Sequence, residues 1–206
     1  MNDRESTQGV HKMEKPVLRV VIADDEPITR MDIKEILTEK GYEVIGEVAD
    51  GFDAVEICKA QKPDLVLMDI KMPLLDGLSA ARIMAEERVG AAVVLLTAYS
   101  EREFIDSAKE IGVSGYLVKP IDEKSLIPSI ELAVARNREM QKLQRDIAKV
   151  SERLENRSII EKAKGRIMER DGLSEQEAYD YIRKLSLTKS MSMRRIAEIL
   201  LLQTGG

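Results

Sequence analysis

Histidine appears once in these 206 residues, at position 11, cysteine once, at position 58, and tryptophan not at all. A single histidine inside the polar opening "MNDRESTQGVHKMEK" removes histidine-ligated metal centres and catalytic triads from consideration. A single cysteine cannot close a disulfide within the chain, and Cys58, set in "AVEICKA", reads as a small buried apolar residue. No apolar run approaches the roughly 18 residues that a membrane-spanning helix needs. The opening stretch also lacks the apolar centre of a secretion signal, so a cytoplasmic location is the expectation. What remains for chemistry is carboxylates, hydroxyls and lysines. With 44% hydrophobic and 33% charged residues the chain can bury a sizeable core and has room for one domain plus a smaller module. Its net charge of −5 argues against a wholly basic nucleic-acid binder, although a local basic face would be averaged away in that sum.

From about residue 17 short β-branched runs alternate with helical patterns. The runs "LRVVIA" (18–23), "YEVIGEV" (42–48), "DLVLMD" (64–69), "AAVVLL" (91–96) and "GYLV" (115–118) are predicted strands. Between them "PITRMDIKEILTEK", "GFDAVEICKAQ", "GLSAARIMAEE" and "SEREFIDSAKEIG" space their apolar residues three and four apart, as amphipathic helices do. Five strands with helical crossovers predict an α/β domain, a doubly wound five-stranded parallel sheet covered on both faces.

After "KPIDEKSLIP" the pattern changes. From Leu126 to about Arg157 there is no strand signal and no glycine, and charge is dense, which predicts one long helix capped by Ser125 or Asp122. Within it Met140, Leu143, Ile147, Val150 and Leu154 recur at 3, 4, 3, 4, the seam of a two-stranded coiled coil. Either two chains pair along it or the helix packs on its own chain. The last 49 residues read as three short helices: one ends on Gly172, the next opens with Ser174 as cap and Glu177 three residues on, and the last is capped by Ser190 or Ser192. The expected organisation is a flexible leader over 1–16, an α/β domain over 17–125, a helical linker over 126–157 and an all-helical module over 158–206.

The acids have a place in this plan. In parallel α/β sheets ligands sit beyond the carboxyl ends of the strands, where strand order reverses. Asp24 and Asp25 end the first strand and Asp69 the third, neighbours in a flavodoxin-like order 2-1-3-4-5. Three carboxylates converging at one point call for a cation, and Mg²⁺ suits a few carboxylates plus waters. Thr97 and Lys119 close the fourth and fifth strands at the same edge, offering a hydroxyl and an ammonium to phosphoryl oxygens.

This set of Asp-Asp, Asp, Thr and Lys resembles the receiver domain of bacterial response regulators, over roughly residues 17–138. The resemblance implies that Asp69 accepts a phosphoryl group from a phospho-histidine on a sensor histidine kinase. It implies that Asp25, Asp69 and the backbone carbonyl of Lys71 hold Mg²⁺, with Asp24 acting largely through water, and that Thr97 and Lys119 bind phosphoryl oxygens. "MPLLDG" (72–77) is similar to the family's loop after the acceptor, Tyr116 to its switch aromatic and Lys119–Pro120 to its cis peptide. A phosphatase with an aspartyl nucleophile normally carries its two acids two apart on one strand, whereas Asp24 and Asp25 are adjacent.

The segment from Ser158 holds nine Lys and Arg against seven acids, a balance of +2 that leaves −7 on the rest of the chain. "EKAKGRIMERDGLSEQEAYDYIRKLSLTKSMSMRRIAEILL" resembles the ANTAR domain through Ala163, Lys164, Gly165, Ile167, Met168, Ser174, Ala178, Ile182, Arg183 and Ala197. It departs from that pattern in "KLSLTKSMSM", where many members have alanine or asparagine and fewer hydroxyls. The resemblance implies binding to paired RNA hairpins in leader transcripts, preventing a terminator from forming; two hairpins need two modules, which gives the seam at Met140 to Leu154 a purpose, so homodimers assembled on phosphorylation are expected. Lys164, Gly165, Arg166, Arg183, Lys189, Arg194 and Arg195 are the candidate RNA contacts, with Tyr179 and Tyr181 placed either to stack on loop bases or in the core. Mid-helix Gly165 costs about 1 kcal/mol against alanine, so close packing or RNA approach is expected there. "DDEPITRMDI", "MDIKMPLLDGL" and "LLTAYSEREF" are similar to regulators of ethanolamine utilisation in low-GC Gram-positive bacteria, with the mycobacterial receiver-and-ANTAR regulators close beside them. A DNA-binding regulator using "SMSMRRIAEILLLQ" as recognition helix is the alternative.

Overall fold

A computed structural model describes residues 17–98, 108 and 110–202. The elements run β1 (Arg19–Ala23), α1 (Pro27–Glu39), β2 (Glu43–Val48), α2 (Gly51–Gln61), β3 (Leu65–Asp69), α3 (Gly77–Glu86), β4 (Ala92–Thr97), β5 (Gly115–Val118), α4 (Glu123–Asp171), α5 (Glu175–Lys189) and α6 (Met193–Leu202). The leader over 1–16 and most of "SEREFIDSAKEIG" lie outside the described residues. The chain divides into two compact units, 1–140 and 141–206.

In the first unit the sheet has the order β2-β1-β3-β4-β5, all pairs parallel. Strands β1, β3 and β4 are central and buried on both faces, which is why their sequences are apolar at consecutive positions rather than alternate ones. One face packs Val21, Val66, Met68 and Leu95 with Ala54, Cys58, Ala80 and Met84. The other packs Ile22, Leu67, Val94 and Leu96 with Ile33 and Leu37 of α1 and Leu126, Ile130 and Ala133 of α4. Cys58 is buried, and desolvation pushes its thiol up to about 12, which keeps it un-ionised and inert.

Helix α4 begins one turn earlier than a Ser125 cap would give. The Asp122 carboxylate accepts from Ser125 N at 2.8 Å, so Asp122 is the cap and Pro128 lies inside the helix. The helix then runs unbroken for 49 residues. The linker and the first helix of the module are therefore one element, not two. Gly165 alone, at about 1 kcal/mol, is too weak a breaker to stop it, and termination comes at Gly172, which takes φ +67.

In the second unit Ala163 and Ile167 of α4, Ala178 and Ile182 of α5, and Ile196, Ala197 and Leu200 of α6 form the core. Ser174 and Glu177 make the reciprocal capping box at the start of α5. Ser190 closes α5 in the left-handed region at φ 52, and Ser192 caps α6 by accepting from Arg195 N at 3.2 Å.

Candidate functional site

Three strand ends meet at the carboxyl edge of the sheet. Asp24 continues β1, held by its N–H donating to the Val48 carbonyl at 3.1 Å, and Asp69 ends β3 opposite Leu96. One carboxylate oxygen from each of Asp24, Asp25 and Asp69 can be chosen so that all three lie within 4.8 Å of one another. Asp24 is fully buried, Asp69 is 6% exposed and Asp25 faces solvent. Register places Thr97, the end of β4, beside Val118, and Lys119 N donates to the Thr97 carbonyl at 2.8 Å, which carries Lys119 to the same edge. The Lys119–Pro120 peptide is cis. The Lys119 ammonium lies 2.8 Å from Asp24 Oδ2 and 3.0 Å from Asp69 Oδ2. The structure thus brings together Asp24, Asp25, Asp69, Thr97 and Lys119.

One ammonium beside three acids leaves charge uncompensated. Burial pushes the Asp69 carboxyl above the ordinary carboxylate range, and the charge of Asp24 adds to this while Lys119 pulls the other way. Desolvation lowers Lys119, but Asp24 and Asp69 together outweigh it and hold the ammonium above its usual value. Asp24 Oδ2 is buried and, despite the nearby ammonium, receives no hydrogen bond of proper geometry from the described residues. Buried anionic oxygens in excess over local cations fit a hard divalent cation. An open cleft lined by Asp25, Ile70, Lys71, Met72, Asp76 and Leu78 leads to them.

The loop after Asp69 is shaped by Gly77. Its N–H donates to the Ile70 carbonyl at 2.9 Å, and a Cβ there would overlap the Asp69 carbonyl oxygen, so only glycine lets α3 start this close to Asp69. Asp76 caps α3 through Ser79 N at 2.8 Å. Sequence reasoning missed Arg30, whose guanidinium donates to the Asp24 carbonyl at 2.5 Å from one turn into α1 and braces the acidic turn. It also missed the exposed apolar side chains Ile28 and Met31 on α1 and Leu74 in the loop after Asp69. Tyr116 is half exposed on β5, outside the core.

In the second unit the candidate RNA contacts separate into two groups. Lys164 is buried, with its ammonium 2.8 Å from Glu161 and 2.7 Å from Glu175, so it ties α4 to α5 instead of presenting a charge. Arg194 spans Glu198 at 2.9 Å, Glu155 at 3.2 Å and Asn156 at 2.9 Å, and Arg195 reaches Glu198 at 3.2 Å. Arg166, Arg183 and Lys189 are exposed. A Cβ on Gly165 meets nothing within 4 Å, so close packing within this unit is not the reason for that glycine. Tyr181 lies beside the Arg170 guanidinium, while Tyr179 is on the other flank of α5, and neither is in the core.

Lys164→Glu should set a carboxylate at a buried position against Glu161 and Glu175, whose own side chains are 51% and 70% exposed. We expect it to lower the unfolding free energy of the C-terminal unit by about 2 kcal/mol. Hydrogen exchange at the Ala178 and Ile182 amides in the full chain measures this, through protection roughly 30-fold lower. Unchanged protection would mean that these ion pairs carry no stability.

The geometry and the comparisons agree on the class: this chain belongs to the response regulators. The response regulator receiver domain family matches residues 20–131 and the ANTAR domain family matches residues 148–201. The chain is 46% identical over 183 residues to the transcriptional regulatory protein PdtaR of Mycobacterium tuberculosis, covering 89% of each chain. It is 40% identical over 114 residues to the chemotaxis protein CheY of Treponema pallidum, covering 54% of this chain and 79% of that one. Among solved structures, the signal receiver domain of NarL from Mycobacterium tuberculosis superposes with a TM-score of 0.55 at 29% identity, over 58% of this chain and 97% of that chain. The receiver domain of the sensor histidine kinase PA1611 from Pseudomonas aeruginosa superposes with a TM-score of 0.52 at 30% identity, over 58% of this chain and 98% of that one. That structure holds a magnesium ion coordinated in its active site cleft.

Proposed function

We propose that the chain is a phosphorylation-switched regulator whose first unit accepts a phosphoryl group on Asp69 and whose second unit binds RNA stem–loops in leader transcripts, preventing transcription termination. The observation that carries the reading is the cluster of Asp24, Asp25 and Asp69 with Lys119 at the sheet edge, in a chain that ends in an ANTAR domain. The donor is a phospho-histidine of a sensor kinase. The Asp69 carboxylate attacks phosphorus, the histidine N–P bond breaks, and the product is an acyl phosphate on Asp69. Mg²⁺, held by Asp24, Asp25, Asp69 and the Lys71 carbonyl, would supply positive charge against the phosphoryl oxygens when bound. Lys119 exchanges its Asp69 partner for a phosphoryl oxygen, and Thr97 offers its hydroxyl to another. The new charge, roughly −1.5 to −2, draws both groups inward and frees space for Tyr116 to turn.

Two copies then pair through α4. Met140, Leu143, Ile147, Val150 and Leu154 are 50–63% exposed along one face, an apolar stripe with the seam spacing of a coiled coil. Ethanolamine-utilisation transcripts are the first targets to test, supported by the resemblance of "DDEPITRMDI" and "MDIKMPLLDGL". A mycobacterial-type target set is the second, favoured by the 46% identity to the mycobacterial relative.

The test is binding of the phosphorylated chain to leader-transcript stem–loop RNA and to duplex DNA of the same sequence at matched salt. Phosphate attraction is common to both, so a preference isolates the readout. We expect RNA to bind at least about tenfold more tightly; preference for the duplex would replace this reading with that of a DNA-binding regulator.

A further inference from the structure

The ion pairs of the second unit show which of its cations are committed internally. Lys164, Arg170, Arg194 and Arg195 are each paired with a carboxylate. Among the described residues of α5, Arg183, Lys184 and Lys189 form no ion pair and all three are exposed; Lys162, also exposed and without an ion pair, lies on α4 and not on this helix. Residues 179, 183 and 187 follow one another at i, i+4 and i+8, so Tyr179, Arg183 and Leu187 share a flank of that helix. Tyr179 is 38% exposed and Leu187 is 73% exposed. The other tyrosine, Tyr181, is on the opposite flank beside Arg170. The flank runs into the α5–α6 turn, where Ser190 takes φ 52 and the Ser186 hydroxyl donates to the Met191 carbonyl, fixing the turn that carries Lys189. Of the acids beside this flank, Glu175, one turn before Tyr179, pairs with Lys164 at 2.7 Å, and Asp180 accepts a hydrogen bond from Gln176 at 3.1 Å.

An aromatic ring, an aliphatic side chain and a guanidinium in line, bordered by two ammonium groups without counter-ions, match a single-stranded stretch of nucleic acid. A splayed base offers a π-face and its neighbours offer phosphates. Duplex binding needs the charge but not the ring. We infer that the Tyr179–Arg183–Leu187 flank of α5, with Lys184 and Lys189, is the surface that takes unpaired RNA loop bases. In this arrangement a base stacks on Tyr179, Leu187 shields its edge from water, and Arg183, Lys184 and Lys189 contact flanking phosphates. Lys164, Arg194 and Arg195 then hold the unit together, not the RNA.

The inference rests on the RNA-binding reading above, and the experiment separates the two. RNA stem–loops are selected from a loop-randomised pool by the phosphorylated full-length chain, and their affinities are measured across a salt series. Tyr179→Leu should weaken loop binding about 10- to 100-fold with the salt slope unchanged. Arg183→Gln should lower the slope by about 0.7, the share of one phosphate contact on a single strand, whereas Arg194→Gln should leave the slope as it is. Circular dichroism of each variant reports that the helices are intact. If the wild-type chain binds stem–loops and Tyr179→Leu binds them equally well, this surface is wrong and the RNA reading stands. If the wild-type chain enriches no stem–loop at all, the RNA reading itself fails.

Discussion

Asp69→Asn should leave a folded chain that takes up no phosphoryl group. The amide has the shape of the carboxylate but no nucleophilic oxygen anion, and Asp24, which shares the Lys119 ammonium at 2.8 Å against 3.0 Å for Asp69, is fully buried where Asp69 retains some exposure. Incubation with a phosphorylated sensor kinase should give acid-labile label on the wild-type chain and none on the variant. Label retained by the variant would place the acceptor elsewhere.

The same substitution has a stability consequence whose sign follows from the site. The Asp69 carboxyl titrates above its ordinary value of 3.8 because burial disfavours its charged form. The folded state therefore binds this proton more tightly than the unfolded state does, and stability is lost as pH rises from the unfolded to the folded value. Asparagine has no such charge. In cation-free buffer the variant should melt higher than the wild type at neutral pH, and this advantage should fade with falling pH and disappear about one pH unit below the ordinary value of 3.8, where both folded and unfolded carboxyls are protonated. Adding Mg²⁺ should narrow the gap by stabilising only the wild-type site. A variant that melts lower at neutral pH in chelator would contradict the description of three acids sharing too little positive charge.

The second large effect concerns α4. Replacing Ile147 and Val150 with lysine places like charges at two successive seam positions of both helices, where the apolar stripe would otherwise be covered. Pairing on phosphorylation should be lost while Asp69 still takes label. RNA affinity then divides by target: a single stem–loop should bind as before, and a leader with two stem–loops should lose the factor of roughly 10² to 10⁴ that tethering provides. Full retention of that factor would mean that the exposed stripe has another purpose.

Much of the first unit was legible because its physics is local. Buried parallel strands must be apolar at every position, so β1, β3 and β4 stand out, and their observed ends differ from the sequence reading by a residue. The acids that follow them are visible for the same reason, since charge directly after a buried strand has few other uses. Arg30 was not legible: it acts through a backbone carbonyl, which no residue pattern reports. The C-terminal unit hid more. Lys164 has one partner a turn away on α4 and another on α5, across the Gly172 turn, so its residue type alone could not separate it from an RNA contact. The break that the sequence reading places after residue 157 is absent, since nothing there stops a helix and α4 continues to Asp171. Tyr179 and Tyr181, two apart on one helix, face different ways by helix periodicity alone, but whether either enters the core was not legible, and neither does.

The most direct measurement is the mass of the full-length chain in solution, by light scattering, with and without beryllofluoride and Mg²⁺. Beryllofluoride on the Asp69 carboxylate imitates the phosphoryl group without needing the kinase. The mass should double when both are present, stay at its resting value when either is omitted, and fail to change in Asp69→Asn. A mass that stays fixed in the wild-type chain, or that doubles equally in Asp69→Asn, would contradict the claim that filling this acidic site is what brings two copies together.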